Sequence, residues 1–155
     1  MFKKIRKTAY SPPKSTLYWD RDCSFCLYWK LRLQRVSGEK IDFVPYQEAA
    51  ENFKDIPLKE FKKASRLIEA DGQVFSGPDS AFRSLYLLGV KKWHLWYKKH
   101  PWFQYLCDHG YNHIAKNRAF YFKITKALFG SNPRRPKPYW VFYLLLLFVF
   151  LVFLV

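Results

Sequence analysis

The sequence predicts an α/β fold: a βαβ unit, a β-hairpin leading into a helix, additional C-terminal helices and a C-terminal transmembrane helix. Three observations carry this. β-prone and amphipathic stretches alternate over residues 15–46, Asp71-Gly72 separates two short β-prone runs, and residues 139–155 are apolar without a single charge.

Ser15 to Trp19 follows a Pro-Pro break and reads as a first strand that ends at Asp20-Arg21-Asp22-Cys23. From Cys26 to Val36, Leu27, Leu31 and Gln34 fall on one side while Lys30, Arg32 and Arg35 reach water, as an amphipathic helix requires, with Gly38 as its C-terminal cap. Ile41 to Tyr46 reads as a second strand, parallel to the first because a helix intervenes. Gln47 to Phe53 suggests a short helix and Pro57 to Lys63 a connecting turn. Ser65 to Ala70 and Gln73 to Ser76 flank Asp71-Gly72 as a hairpin. After Gly77-Pro78 the pattern turns helical, with Phe82, Leu85 and Leu88 on one face. Residues 91–129 should hold two or three more helices, broken at Pro101 and near Gly110.

The chain therefore divides into a basic arm (1–14), one α/β domain (15–130), a Pro-rich basic linker (131–138) and an apolar helix (139–155). That last run, YWVFYLLLLFVFLVFLV, reads as a membrane anchor, with Tyr139, Trp140 and Tyr143 suited to the interface and Arg134, Arg135 and Lys137 marking the cytoplasmic side. A membrane-anchored chain with its main domain in the cytoplasm is the expectation. The basic N-terminus lacks the apolar stretch of a signal peptide, which argues against export. The run ends without a polar residue, so the chain is also expected to fit as the first part of a larger membrane protein.

The net charge of +15 is uneven: the middle is neutral, while residues 91–137 hold eleven basic side chains against one acidic. Such an excess beside an apolar helix suits anionic membrane lipids as partners better than nucleic acid, which is not expected as a partner.

The candidate chemistry lies at Cys23 and Cys26. Two thiols separated by two residues at the start of a helix can close a small disulfide ring, and the first is the better placed nucleophile, because free amides and the helix dipole favour its thiolate. Cys26 is then the resolving thiol. Asp20 and Asp22 precede Cys23; either can oppose that thiolate, cap the helix or help move a proton from Cys26. No metal and no cofactor is required. Two other readings compete: half of a zinc site, completed by Cys107, His109 and His113, and a coincidental pair of buried cysteines.

On Asp20, Cys23 and Cys26 the sequence resembles the DCC family of thiol-disulfide oxidoreductases, whose motif is Asp-x-x-Cys-x-x-Cys. Asp71-Gly72 with Gly77-Pro78-Asp79-Ser80-Ala81-Phe82, and Tyr111-Asn112-His113-Ile114-Ala115-Lys116-Asn117-Arg118, are similar to further family stretches, so that the resemblance covers about residues 16–122. It implies a thioredoxin-like fold. It also implies a dithiol enzyme that reduces or exchanges disulfides, with a disulfide-containing protein or a small thiol as substrate and a cellular thiol as reductant. Asn117 and Arg118, within the last of these stretches, either reach the active-site rim as supporting residues, where Arg118 would favour the thiolate, or tie helices together; Trp19, Ser24, Phe25 and Ser65 are the expected substrate-binding positions. Arg21 stands where the family often has Gly and Ser24 where it often has Pro; Ser65 falls where the more distant glutaredoxins carry a cis-proline. The alternative is a non-catalytic redox-sensing or docking domain of a membrane protein, using the surface around Trp93, Trp96 and Trp102.

Overall fold

The computed structural model describes the backbone of residues 1–154 and the side chains of residues 1–147. β1 (Thr16–Trp19) leads through a short loop into α1 (Ser24–Ser37), which stops at Gly38, a residue with φ of 53°. β2 (Asp42–Pro45), α2 (Tyr46–Ala49), one 3₁₀ turn (Ala50–Asn52) and α3 (Leu58–Lys63) follow. β3 (Arg66–Ile68), β4 (Val74–Ser76) and α4 (Pro78–Leu87) complete the βαβ-ββα core. Beyond it come α5 (Lys92–Lys99), α6 (Pro101–Lys116), α7 (Arg118–Phe129) and α8 (Tyr139–Leu154).

The four strands form one mixed sheet in the order β2-β1-β3-β4, with β1 parallel to β2 and the other pairs antiparallel. All four residues of β1 are buried, as befits a strand covered on both faces. Successive side chains alternate between two cores. Tyr18, Ile68 and Val74 meet Tyr46, Phe53, Ile56 and Phe61 from the α2–α3 side, whereas Leu17, Leu67 and Phe75 pack with Ile41, Leu33 of α1 and Leu87 of α4. The parallel register sets Trp19 opposite Pro45, so the loop after β1 and the first turn of α2 leave the sheet side by side.

Residues 1–10 lie against the domain. Val74 donates its backbone N–H to the Arg6 carbonyl, and Lys7 bridges Gln73, which covers the open edge of β4. Phe2 is buried over Gly77, whose φ of 61° already favours glycine and where a Cβ would come within 2.7 Å of the Phe2 ring.

Several expectations need correction. Pro57 to Lys63 is a helix rather than a turn from Leu58 onward, anchored by buried Glu60 and Phe61. α6 runs unbroken through Gly110, and the chain turns instead at Asn117. The inner face of α1 is marked by Tyr28, 3% exposed, while Leu27 is 39% exposed. Tyr28 faces Phe122 of α7 and donates its hydroxyl to the Gly130 carbonyl, so the partner helix, not the Leu27–Leu31 row, selects the buried side. On α4 the buried positions are Pro78, Asp79, Ser80 and Ser84, while Phe82 and Leu85 are half-buried. Each serine hydroxyl bonds a backbone carbonyl of its own chain segment, Gly77 and Ser80 respectively, so small polar side chains can sit in the tight helix-sheet contact.

The transmembrane helix is the largest correction. α8 forms where the apolar run lies and adjoins α7, and Val155 lies outside the described residues. Its 16 residues reach about 24 Å at 1.5 Å per residue, against a hydrocarbon core of about 30 Å. Among the described residues no helix is long and apolar enough to cross a membrane. The membrane anchor is thereby overturned, and the cytoplasmic placement of the main domain, which rested on it, goes with it.

Candidate active site

Cys23 occupies the N-cap of α1, with extended backbone angles (φ −105°, ψ 107°) and its carbonyl already accepting from the Leu27 N–H at 2.9 Å. At this position a helix wants a side-chain acceptor for its free amides. Here the acceptor is sulfur: the Cys26 backbone N–H donates to Cys23 Sγ at 3.2 Å, and the Cys26 thiol donates to the same atom at 2.7 Å. Neither Asp20 nor Asp22 caps the helix. Both thiols are free and half-buried.

This geometry separates the two acidities. The Cys23 thiol is pulled down to about 6, chiefly by the hydrogen bond from Cys26, against the effect of burial, with the Cys26 amide and the Arg118 guanidinium adding to the pull. The Cys26 thiol is pushed up, because its proton is held in the bond to Cys23; burial and the charges of Cys23 and Asp20 push the same way. One sulfur is a thiolate at neutral pH while the other keeps its proton.

Arg118, the first residue of α7, returns to this point because the chain turns at Asn117. Its Nη1 donates to Asp20 Oδ2 at 2.9 Å, and its Nη2 donates to the Lys62 carbonyl at 3.0 Å. The guanidinium thus lies among Asp20, Cys23 and Cys26. Asn117 is exposed and turns away, donating to the His113 carbonyl at the end of α6. Asp22 is exposed beside the loop, and Ser24 is exposed on the first turn of α1. Phe25 is half-buried, edge-on to Trp29. Trp19 is buried in the sheet with Lys30 over its ring, and its indole Nε1 has no hydrogen-bond partner among the described residues.

Ser65 stands one residue before β3 with a trans peptide bond; among the described residues no peptide bond is cis. Its backbone N–H donates to the Tyr111 hydroxyl at 3.0 Å, and its own hydroxyl meets those of Tyr111 and Ser80. Tyr111, near enough to Cys26 and Arg118 for their charges to act on its phenol, joins the site from α6. Its signal was its place at the head of the Tyr-x-x-Ile-Ala-x-Asn-Arg stretch. Gln47 is the other residue that sequence reasoning passed over: its side-chain amide donates to Asp20 at 2.9 Å and to Asp22 at 3.3 Å. Only the pairing of Trp19 with Pro45 brings it there, and no local pattern announces it.

Among the described residues one group of potential metal ligands converges, Asp20, Cys23 and Cys26, with ligand atoms within 4.8 Å of one another. Cys107, His109 and His113 take no part in it. Asp20 already gives one oxygen to Arg118 and the other to Gln47, and the guanidinium places a positive charge where a cation would sit. The donor set therefore favours thiolate chemistry over a zinc centre. The aromatic surface around Trp93, Trp96 and Trp102 lies elsewhere, on α5 and α6, where Trp102 is 61% exposed.

A family model described as DCC1-like thiol-disulfide oxidoreductase matches residues 17–123, well over half of the chain. No curated protein and no solved structure matches it.

Proposed function

Because the chain belongs to the DCC1-like thiol-disulfide oxidoreductase family, we propose that it reduces or exchanges disulfides in a protein or small-thiol substrate through Cys23 and Cys26. The observation that carries the reading is that Cys23 Sγ, at the head of α1, accepts hydrogen bonds from both the amide and the thiol of Cys26.

The reaction follows from these contacts. The Cys23 thiolate attacks one sulfur of the substrate disulfide, forming a mixed disulfide and expelling the other sulfur as a thiolate that takes up a proton. With the negative charge on Cys23 gone, Cys26 loses the partner that held its proton. Asp20 lies within 4.8 Å to help that proton leave. The Cys26 thiolate then attacks Cys23 Sγ, the second substrate thiolate departs, and the Cys23–Cys26 disulfide remains. Two electrons pass from the dithiol to the substrate, and a cellular thiol restores the pair. Arg118 offsets the charge on Cys23 and Cys26 in turn.

Cys26→Ser tests the reading directly. Exposed to a disulfide-bonded peptide, this variant should accumulate a mixed disulfide at Cys23, seen as an adduct by intact mass, while the wild type releases reduced peptide. Absence of the adduct while Cys23 remains alkylatable would contradict the proposal.

A further inference from the structure

We propose that Gln47 is a positioning residue for the dithiol: its amide holds Asp20 and Asp22 together and so aims Asp20 at Arg118. The proposal rests on the dithiol reading above and adds a residue outside both the cysteine motif and the arginine stretch.

Both ends of the Gln47 side chain are committed. Nε2 donates to Asp20 Oδ1 at 2.9 Å and to Asp22 Oδ2 at 3.3 Å, and Oε1 accepts the Arg21 backbone N–H at 3.3 Å. This fixes the amide's orientation: reversed, it would set its oxygen against two carboxylates and its NH₂ against an N–H. One side chain thus binds three consecutive residues of the loop that delivers Cys23.

The position follows from the fold. Trp19 pairs with Pro45, β2 ends there, and Tyr46, buried in the α2–α3 core, roots the first turn of α2. Gln47 projects from that turn, half-buried, toward the loop leaving β1. The charged groups around it are Asp20 and Asp22 from the loop, Arg21 and Glu48, which pair on the outside, and Arg118 from α7.

The electrostatic consequence concerns Asp20. Its Oδ1 is taken by Gln47 and by the Asp22 N–H, which leaves Oδ2 for Arg118 Nη1. Without the amide, two neighbouring carboxylates repel and their charge is less well satisfied. Negative charge beside a thiolate disfavours it. Loss of the clamp should therefore weaken Cys23 as a thiolate even though Gln47 touches neither sulfur.

Two variants of the full chain separate this role from a merely structural one. Gln47→Met keeps the length but removes donor and acceptor, whereas Gln47→Glu keeps an acceptor for Arg21 and replaces the donor with a third carboxylate. The pH profile of Cys23 alkylation should move upward in both, and in Gln47→Glu by about one unit, the size a like charge nearby produces. The thiol-disulfide midpoint should become more reducing in the same order. A structural role alone would lower the melting temperature and leave both readouts where they were; profiles and midpoints that superimpose on the wild type would overturn the proposal. The alkylation profile needs no disulfide to form. A wild type that never closes its disulfide therefore counts against the dithiol reading, while Gln47 is still judged by the profile.

Discussion

Arg118 reaches across 98 positions of sequence to donate to Asp20 Oδ2 at 2.9 Å, joining the start of α7 to the loop that carries the first cysteine. The pair is partly shielded from water, with side chains 21% and 18% exposed, so its charges act on the nearby sulfurs with less screening than a surface ion pair would have.

Removing that guanidinium should weaken the nucleophile. In Arg118→Ala the pH midpoint of Cys23 alkylation is expected to rise from about 6 by about one unit, the usual effect of losing a nearby opposite charge. Arg118→Lys should fall between, because an ammonium keeps the charge but lacks a planar fork able to hold Asp20 and the Lys62 carbonyl together. Rates of iodoacetamide modification across pH check both.

Stability should depend on pH in a redox-specific way. The folded Cys23 thiol titrates near 6 and an unfolded cysteine near about 8.5. The folded state therefore binds fewer protons between these values, and the stability of the reduced protein rises with pH through this window. The contribution is complete above the unfolded value and is lost as pH falls through about 6. Above about 8.5 the trend should reverse, since Cys26 keeps its proton in the folded protein while the unfolded thiol loses it. Denaturant midpoints of reduced wild type, oxidised wild type and Cys23→Ser should show the rising limb only in the first.

The order of the core elements was readable because apolar periodicity, Asp71-Gly72 and Gly77-Pro78 are local signals. The cysteine pair was readable for the same reason, lying where a strand pattern gives way to a helix pattern. Tertiary partners decided the rest. Tyr28, rather than Leu27, is buried because α7 presents Phe122 and the Gly130 carbonyl at that point. Gln47 looks like an ordinary surface residue until strand register brings it beside Asp20. The apolar run forms its helix, but with a length short of a membrane's thickness.

Arg66 carries no local signal of its burial for a related reason, since a cation on a strand ordinarily faces solvent. It is 0% exposed, donates to Ser76 Oγ and to the Glu60 carbonyl, and pairs with the Glu60 carboxylate at 3.4 Å. Removing one member leaves the other charged and buried, so Glu60→Ala should destabilise the fold by about 3–5 kcal/mol. Urea denaturation measures this, and Cys23 reactivity below the transition should be unchanged.

Tyr111→Phe should separate support from chemistry. It removes the oxygen that accepts the Ser65 N–H and leaves that donor without its partner, at a cost of about 1–3 kcal/mol. Thermal melts should show the loss, while the Cys23 alkylation midpoint stays close to that of the wild type.

Equilibration across a glutathione redox series, with free thiols counted by mass after alkylation, tests the central claim most directly. One two-electron transition that needs both Cys23 and Cys26 is expected. Dithiols whose nucleophile titrates between ~3.5 and ~7 span midpoints from about −120 to −270 mV, and the midpoint here should fall within that range. A pair that never closes, or closure that persists in Cys26→Ser through Cys107, would contradict the account.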